Sequence, residues 1–232
     1  MVTGPFWKGL AWNDDARCIL VTLMSHAVDR FRHGHLLTRR RETYRMYMPQ
    51  LTRQWTVESV HALPDDGNRY EVIDGELFMT PSPRWRHQDA VYELHHLLRE
   101  YLKRERAGHA FGAPADVIFS PRRLVQPDVF VVPLVNGRRP EQFDDVGRLL
   151  LAAEVLSPST ARADRVAKRT LYRDEKVPEY WIIDLDARTV ERSTPADSRP
   201  EIFVDEIVWQ PDGAVTPCVI DLVQYFAAVL GE

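Results

Sequence analysis

The sequence predicts an α/β domain: a central mixed β-sheet flanked by helices and entered through an N-terminal β-hairpin. Three observations carry that expectation. Tyr70–Met79 reads as two short strands joined at Asp74-Gly75, a dipeptide suited to a two-residue hairpin turn. His87–Arg106 repeats apolar residues on one helical stripe, from Ala90 and Val91 through Leu94, Leu98 and Leu102. The apolar run Leu149–Leu156 is followed by a helical pattern and then a second apolar run, Pro178–Asp184, the strand–helix–strand order of a parallel crossover.

The chain has 232 residues, 44% hydrophobic and 28% charged, an ordinary globular composition with room for one core and an appendage. No apolar run approaches the roughly 18 residues of a membrane helix. Asp14 and Asp15 before the short run Val21–Met24 argue against a signal peptide. Cys18 and Cys218 lie far apart with no metal-ligand spacing, so a reducing cytoplasm is the expected location. The net charge of −4 is uneven: residues 1–48 hold eight basic and four acidic side chains, a surplus of +4, leaving −8 for the remainder. Whole-chain charge therefore does not advertise nucleic-acid binding, and local patches must decide.

Residues 1–48 differ from the rest of the chain. Their pattern is weak, Arg39-Arg40-Arg41 is a charge run, and they are read as a poorly ordered or weakly helical extension, with a phosphate-touching basic arm as the alternative. The regular domain is placed at 49–232. Thr56 is an N-cap for a short helix through Val57, Val60 and Leu63, stopped by Pro64-Asp-Asp-Gly67. After the hairpin, Pro81-Ser-Pro83 breaks the chain before the long helix, which Gly108 is expected to close. Ala115–Phe119 and Leu124–Val132 read as strands, Ala161–Lys176 as the crossover helix, and Thr189–Arg192 and Glu201–Trp209 as outer strands. Asp221–Leu230 closes the chain as an amphipathic helix.

Two acids stand out because they interrupt apolar strands, Asp128 and Glu154. A charged carboxylate in such a place costs several kcal/mol unless something compensates it. Two of them converging suit a hard divalent cation such as Mg²⁺, which takes one or two carboxylates with water and substrate phosphate. Lys168 is spaced to reach the end of the preceding strand. At about 100° per residue, Val166, Ala167, Thr170 and Leu171 are expected on the buried face of its helix, with Asp164, Lys168 and Tyr172 along its edge. Blander readings account for the same residues. Asp164 and Lys168 form an i,i+4 pair, Asp128 suits a strand entry, and Glu154 suits a buried ion pair with an arginine. His87 suits local packing at a helix start, and Glu71 an exposed strand position. From spacing alone both sets of readings stand.

The ordered segments RYEVIDGEL, PSPRWRH, QPDVFVV, AAEVLSPST, DRVAKRTLY and VPEYWIID resemble the Uma-type (Uma-two) family of bacterial restriction endonucleases, within the PD-(D/E)xK nuclease superfamily. The resemblance runs from about Trp55 to the C-terminus. It implies a restriction-endonuclease-like core and Mg²⁺-dependent (or Mn²⁺-dependent) cleavage of DNA. Pro127-Asp128 matches the PD of the motif and Glu154 its second acid. The motif's lysine, expected two residues after that acid, is replaced by Leu156; the family supplies it from the next helix, where Lys168 matches. The implied metal ligands are Asp128, Glu154 and the Val155 carbonyl, with Glu71 and His87 as accessory residues. A homodimer would suit double-strand cleavage.

Overall fold

The structure is a computed structural model that describes residues 54–80 and 82–232, so the extension expected at 1–48 and the domain start at 49 lie outside the described residues. Helix α1, Val57–His61, begins where Thr56 caps it: the Thr56 side chain accepts from the Ser59 N–H at 3.2 Å, and the Ser59 hydroxyl accepts in return from the Thr56 N–H at 2.8 Å. Strands β1, Arg69–Ile73, and β2, Glu76–Thr80, form the expected hairpin. Asp74 and Gly75 both take positive φ, 53° and 87°, as a tight turn of this hand requires.

Helix α2 spans Trp85–Glu105, followed by β3, His109–Gly112; β4, Val117–Ser120; β5, Arg123–Val125; and β6, Val129–Val132. Then come β7, Leu151–Val155; a wide π-helical turn, Ala163–Lys168; α3, Arg169–Asp174; and β8, Glu179–Asp184. The chain closes with β9, Thr189–Ser193; β10, Glu201–Phe203; β11, Glu206–Trp209; β12, Cys218–Asp221; and α4, Leu222–Leu230. Six strands make the central sheet in the order β10-β9-β8-β7-β6-β3, with β7 and β8 parallel and every other pair antiparallel. A four-stranded sheet, β2-β1-β5-β4, and the β11-β12 pair complete the fold. The expected mixed sheet flanked by helices is what forms.

Strand periodicity sorts the core. Val129, Val131, Ala153, Trp181 and Ile183 point to the face covered by α2 and α4. Phe130, Ala152, Tyr180 and Ile182 point to the opposite face, with Leu171 and Tyr172 of α3 and Val117 and Val125 of the smaller sheet. Because Val129 pairs with Ala153, the residues one step further out, Asp128 and Glu154, fall on the same even-numbered face and side by side. The sheet register thus aims both acids at α3 and the hairpin sheet.

Several expected boundaries shift. Leu124–Val132 is not one strand: Gln126-Pro127-Asp128 breaks it, sending β5 to the smaller sheet and β6 to the central one. Glu201–Trp209 likewise splits into β10 and β11 in different sheets. β3 and β12, both only four residues long, were not anticipated. The long helix ends on Arg106, which adopts the left-handed conformation (φ 56°) in place of the expected Gly108. Gly108 has a different reason to be small: a Cβ there would lie 2.9 Å from the Val132 carbonyl oxygen.

Candidate active site

The expected face of the crossover helix is corrected by the structure. Val166 and Thr170 are exposed, whereas Asp164, Lys168 and Tyr172 are buried together with Leu171. The polar edge is the inward face, because the sheet it covers presents acids there. The π-helical turn helps: the Arg169 N–H reaches back to the Asp164 carbonyl, widening the coil where Asp164 and Lys168 turn inward. The Tyr180 hydroxyl also donates to the Asp164 carbonyl at 3.2 Å.

Lys168 is the hub, only 4% exposed. Its Nζ lies 2.9 Å from Glu71 Oε2, 2.8 Å from Glu154 Oε1 and 3.6 Å from Asp164 Oδ1. The Asp164–Lys168 pair at i,i+4 is therefore real, but it is the longest of the three contacts. Burial alone would push the ammonium down; the surrounding Glu154, Glu71 and Asp164 carboxylates overcome this and hold it well above the ordinary lysine value. Glu71 is buried, not at an exposed strand position, and its Oε1 accepts from the Gln126 N–H at 2.7 Å. The Tyr172 hydroxyl lies 3.5 Å from Glu154 Oε1.

Asp128 forms the second half of the site. Its Oδ1 accepts from Arg69 Nη1 at 3.0 Å, and its Oδ2 lies 3.1 Å from His87 Nε2 and 3.0 Å from the Val155 N–H that donates to it. Burial would raise its pKa, but His87, Arg69 and the Val155 amide together hold the carboxyl below the usual range. His87 thus reaches across to Asp128 and does more than pack at its helix start. Of the expected residues, Asp128, Glu154, Lys168, Glu71 and His87 meet in this one network, and Val155 joins it through its N–H, whereas the expected ligand atom is its carbonyl oxygen. Arg69 was missed. The signal was there: it stands two residues before Glu71 on β1, hence on the same strand face.

Arg69, His87, Asp128, Glu154, Asp164 and Lys168 of this network line a cleft of about 690 Å³, whose rim carries Arg84, Trp85, Arg86, Ser159 and Asp186. The charges of the network do not balance. Four carboxyl groups, Glu71, Asp128, Glu154 and Asp164, face two cations, Arg69 and Lys168, with the His87 ring beside Asp128. The surplus shows at Glu154: burial raises its carboxyl well above the ordinary value, Lys168 opposes this, and Asp128, Asp164 and Glu71 add to the rise. Asp164 Oδ1 is buried without a hydrogen-bond partner. Among the described residues no three His, Cys, Asp or Glu side chains are grouped as a ready ligand set. Oxygen donors from a cluster in which carboxyl groups outnumber cations nonetheless suit a hard divalent ion carried by two carboxylates and water.

The family profile described as "Uma2: Putative restriction endonuclease" matches residues 57–214. A crystal structure of a putative nuclease of the DUF820 group from Anabaena variabilis shares the fold, with a TM-score of 0.63, 22% identity, and coverage of 75% of this chain and 99% of that one. No curated protein matches the chain. Among the described residues no helix is long and apolar enough to cross a membrane.

Proposed function

We propose that this chain, which belongs to the Uma2 family of putative restriction endonucleases, is a metal-dependent endonuclease that hydrolyses DNA phosphodiester bonds in the cleft above Asp128, Glu154 and Lys168. The observation that carries the reading is the convergence of Glu154 on β7, Asp128 just before β6, and the buried Lys168 on one cleft, within a network in which carboxyl groups outnumber cations. Asp128, Glu154 and the Val155 carbonyl would hold a Mg²⁺ or Mn²⁺ ion, which supplies Lewis-acid charge and a lowered water pKa when bound.

The chain's own residues set the remaining chemistry. Lys168, held as an ammonium by the surrounding carboxylates, donates hydrogen bonds and neutralises charge, and it would orient or activate the attacking water. Glu71 and Glu154 take two of its three donors at 2.9 and 2.8 Å, while Asp164 Oδ1, at 3.6 Å, is beyond hydrogen-bond distance of the third. That third N–H is the one able to turn toward an attacking water or a phosphoryl oxygen. Arg69 and His87 fix the Asp128 carboxylate, and Arg69 also faces the cleft, where it can meet a phosphate. A second copy of the chain would bring a second such centre to the opposite strand of a duplex.

The test is incubation of the purified chain with supercoiled plasmid, single-stranded DNA and RNA, with Mg²⁺, Mn²⁺ or EDTA. DNA cutting that needs the divalent ion supports the reading. Absence of cutting on every substrate, with no metal-induced change in melting temperature, overturns it in favour of a nuclease fold that binds without cleaving.

A further inference from the structure

The cleft does not end at the cluster. β3 is an edge strand of the central sheet, and α2 packs against it. Along their seam lie two cavities. The nearer, about 370 Å³, shares Arg69, His87 and Asp128 with the cleft and continues past Tyr92 and His95. The farther, about 280 Å³, is bounded by Arg99, Lys103, Arg106, His109 and Arg139. Between them His95 Nε2 lies 3.2 Å from the Ala110 carbonyl oxygen, tying the helix to the strand. We propose that this seam is a binding track for a single strand of nucleic acid leading away from the cleft, a reading that rests on the nuclease function proposed above.

Charge is the first argument. Apart from Asp128, no carboxylate lines either cavity. Among the described residues Arg99, Lys103, Arg106 and Arg139 have no ion-pair partner, although the adjacent Arg104 is paired with Glu105. At about 100° per residue, His95, Arg99 and Arg106 cluster on the groove flank of α2, while Asp89, Glu93 and Glu100 lie roughly 120° around it. The groove flank of the helix thus carries no acid, although Arg86 and Arg104 lie with the acids on the other flank. Burial and the nearby Arg99 and Arg139 hold His109 below its ordinary value, as expected where cations converge without an anion. Stabilisation of the helix C-terminus accounts for Lys103 and Arg106, but not for Arg99 a turn earlier or Arg139 from another loop.

Aromatic placement is the second. Trp85 is 89% exposed and Tyr92 66%. Trp85, Tyr92, Arg99 and Arg106 recur every seventh residue, drifting only about 20° per step, and span roughly 30 Å. Exposed rings followed by unpaired cations are how strands are held without sequence readout, bases on rings and phosphates on charges. A duplex hides its base faces, so the rings select for unpaired strand.

Fluorescence anisotropy of a labelled deoxythymidine oligonucleotide, with the full chain in EDTA, tests this. The variants are the triple Arg99→Gln/Lys103→Gln/Arg139→Gln, Trp85→Ala, and a control on the opposite flank, Glu93→Gln/Glu100→Gln. The triple variant is expected to bind at least tenfold more weakly, with the slope of log affinity against log salt reduced by about 2, from roughly 0.7 per phosphate contact on single strands. Trp85→Ala should lose roughly tenfold, and the control should match wild type, all at unchanged melting temperature. Wild-type affinity and slope in the triple variant, preference for duplex, or no binding by wild type would each overturn the track. If wild type cuts DNA while the triple variant binds normally, the track falls and the nuclease stands. If the triple variant loses binding and no preparation cuts, the track stands and hydrolysis falls.

Discussion

Replacing Lys168 by Met removes the positive charge and keeps the volume, so it isolates what that charge does. In the native protein the ammonium sits within 3 Å of both Glu71 and Glu154, and all three side chains are at most 5% exposed. Removing one partner of a buried ion pair typically costs about 3–5 kcal/mol, because the other charge is left desolvated. For a domain of this size each kcal/mol lowers the melting temperature by about 2–4 °C, so a fall of about 6–20 °C is expected. The assay is calorimetric or circular-dichroism melting at pH 8 in EDTA, repeated toward pH 5. The sign comes from linkage. Burial raises both Glu154 and Asp164 above their ordinary values, and removing the lysine removes the influence that opposes this. On acidification the native state takes up protons before the unfolded chain does, so its stability rises with falling pH and the deficit of the variant should shrink. A variant that melts within a degree of wild type at pH 8, or whose deficit grows in acid, refutes the reasoning.

The same geometry predicts other outcomes. Glu154→Gln relieves the surplus charge while keeping an acceptor for Lys168, and should raise the melting temperature of the EDTA-treated protein at pH 8. A divalent ion at 100 times its dissociation constant should stabilise wild type by about 2.7 kcal/mol, read as a melting shift of about 5–11 °C that EDTA reverses and Glu154→Gln reduces. Gly75→Ala, far from the cleft, forces a side chain onto a backbone at φ 87° and within 2.8 Å of Arg122 Nη2. It should cost at least about 1 kcal/mol in urea unfolding without changing cleavage per folded molecule.

The hairpin, the long helix and the parallel crossover were legible because each rests on local signals: a turn dipeptide, a 3.6-residue stripe, two apolar runs around a helix. The acids were legible because they break apolar strands. What periodicity could not give was orientation. It assigned Val166 to the inner face, since apolar residues usually point inward, but the surface the helix covers carries Glu154 and Glu71, and Lys168 turns in to meet them. The two-residue strand period puts Arg69 on the face of Glu71, but its meaning depends on Asp128, 59 residues away. The short β3 and β12 lacked enough residues to show a period, and the break at Gln126-Pro127 became visible only once β5 and β6 had joined different sheets.

The central claim is that Asp128 holds the ion while Lys168 acts on the reaction, and it is tested most directly by measuring Mn²⁺ binding and DNA cleavage on the same samples of wild type, Asp128→Asn and Lys168→Met, below the melting temperature of each. The account predicts that Asp128→Asn loses both, whereas Lys168→Met keeps or tightens Mn²⁺ binding and loses cleavage by at least about 100-fold, the scale of removing one preorganised donor. Cleavage at wild-type rates by either variant would contradict it.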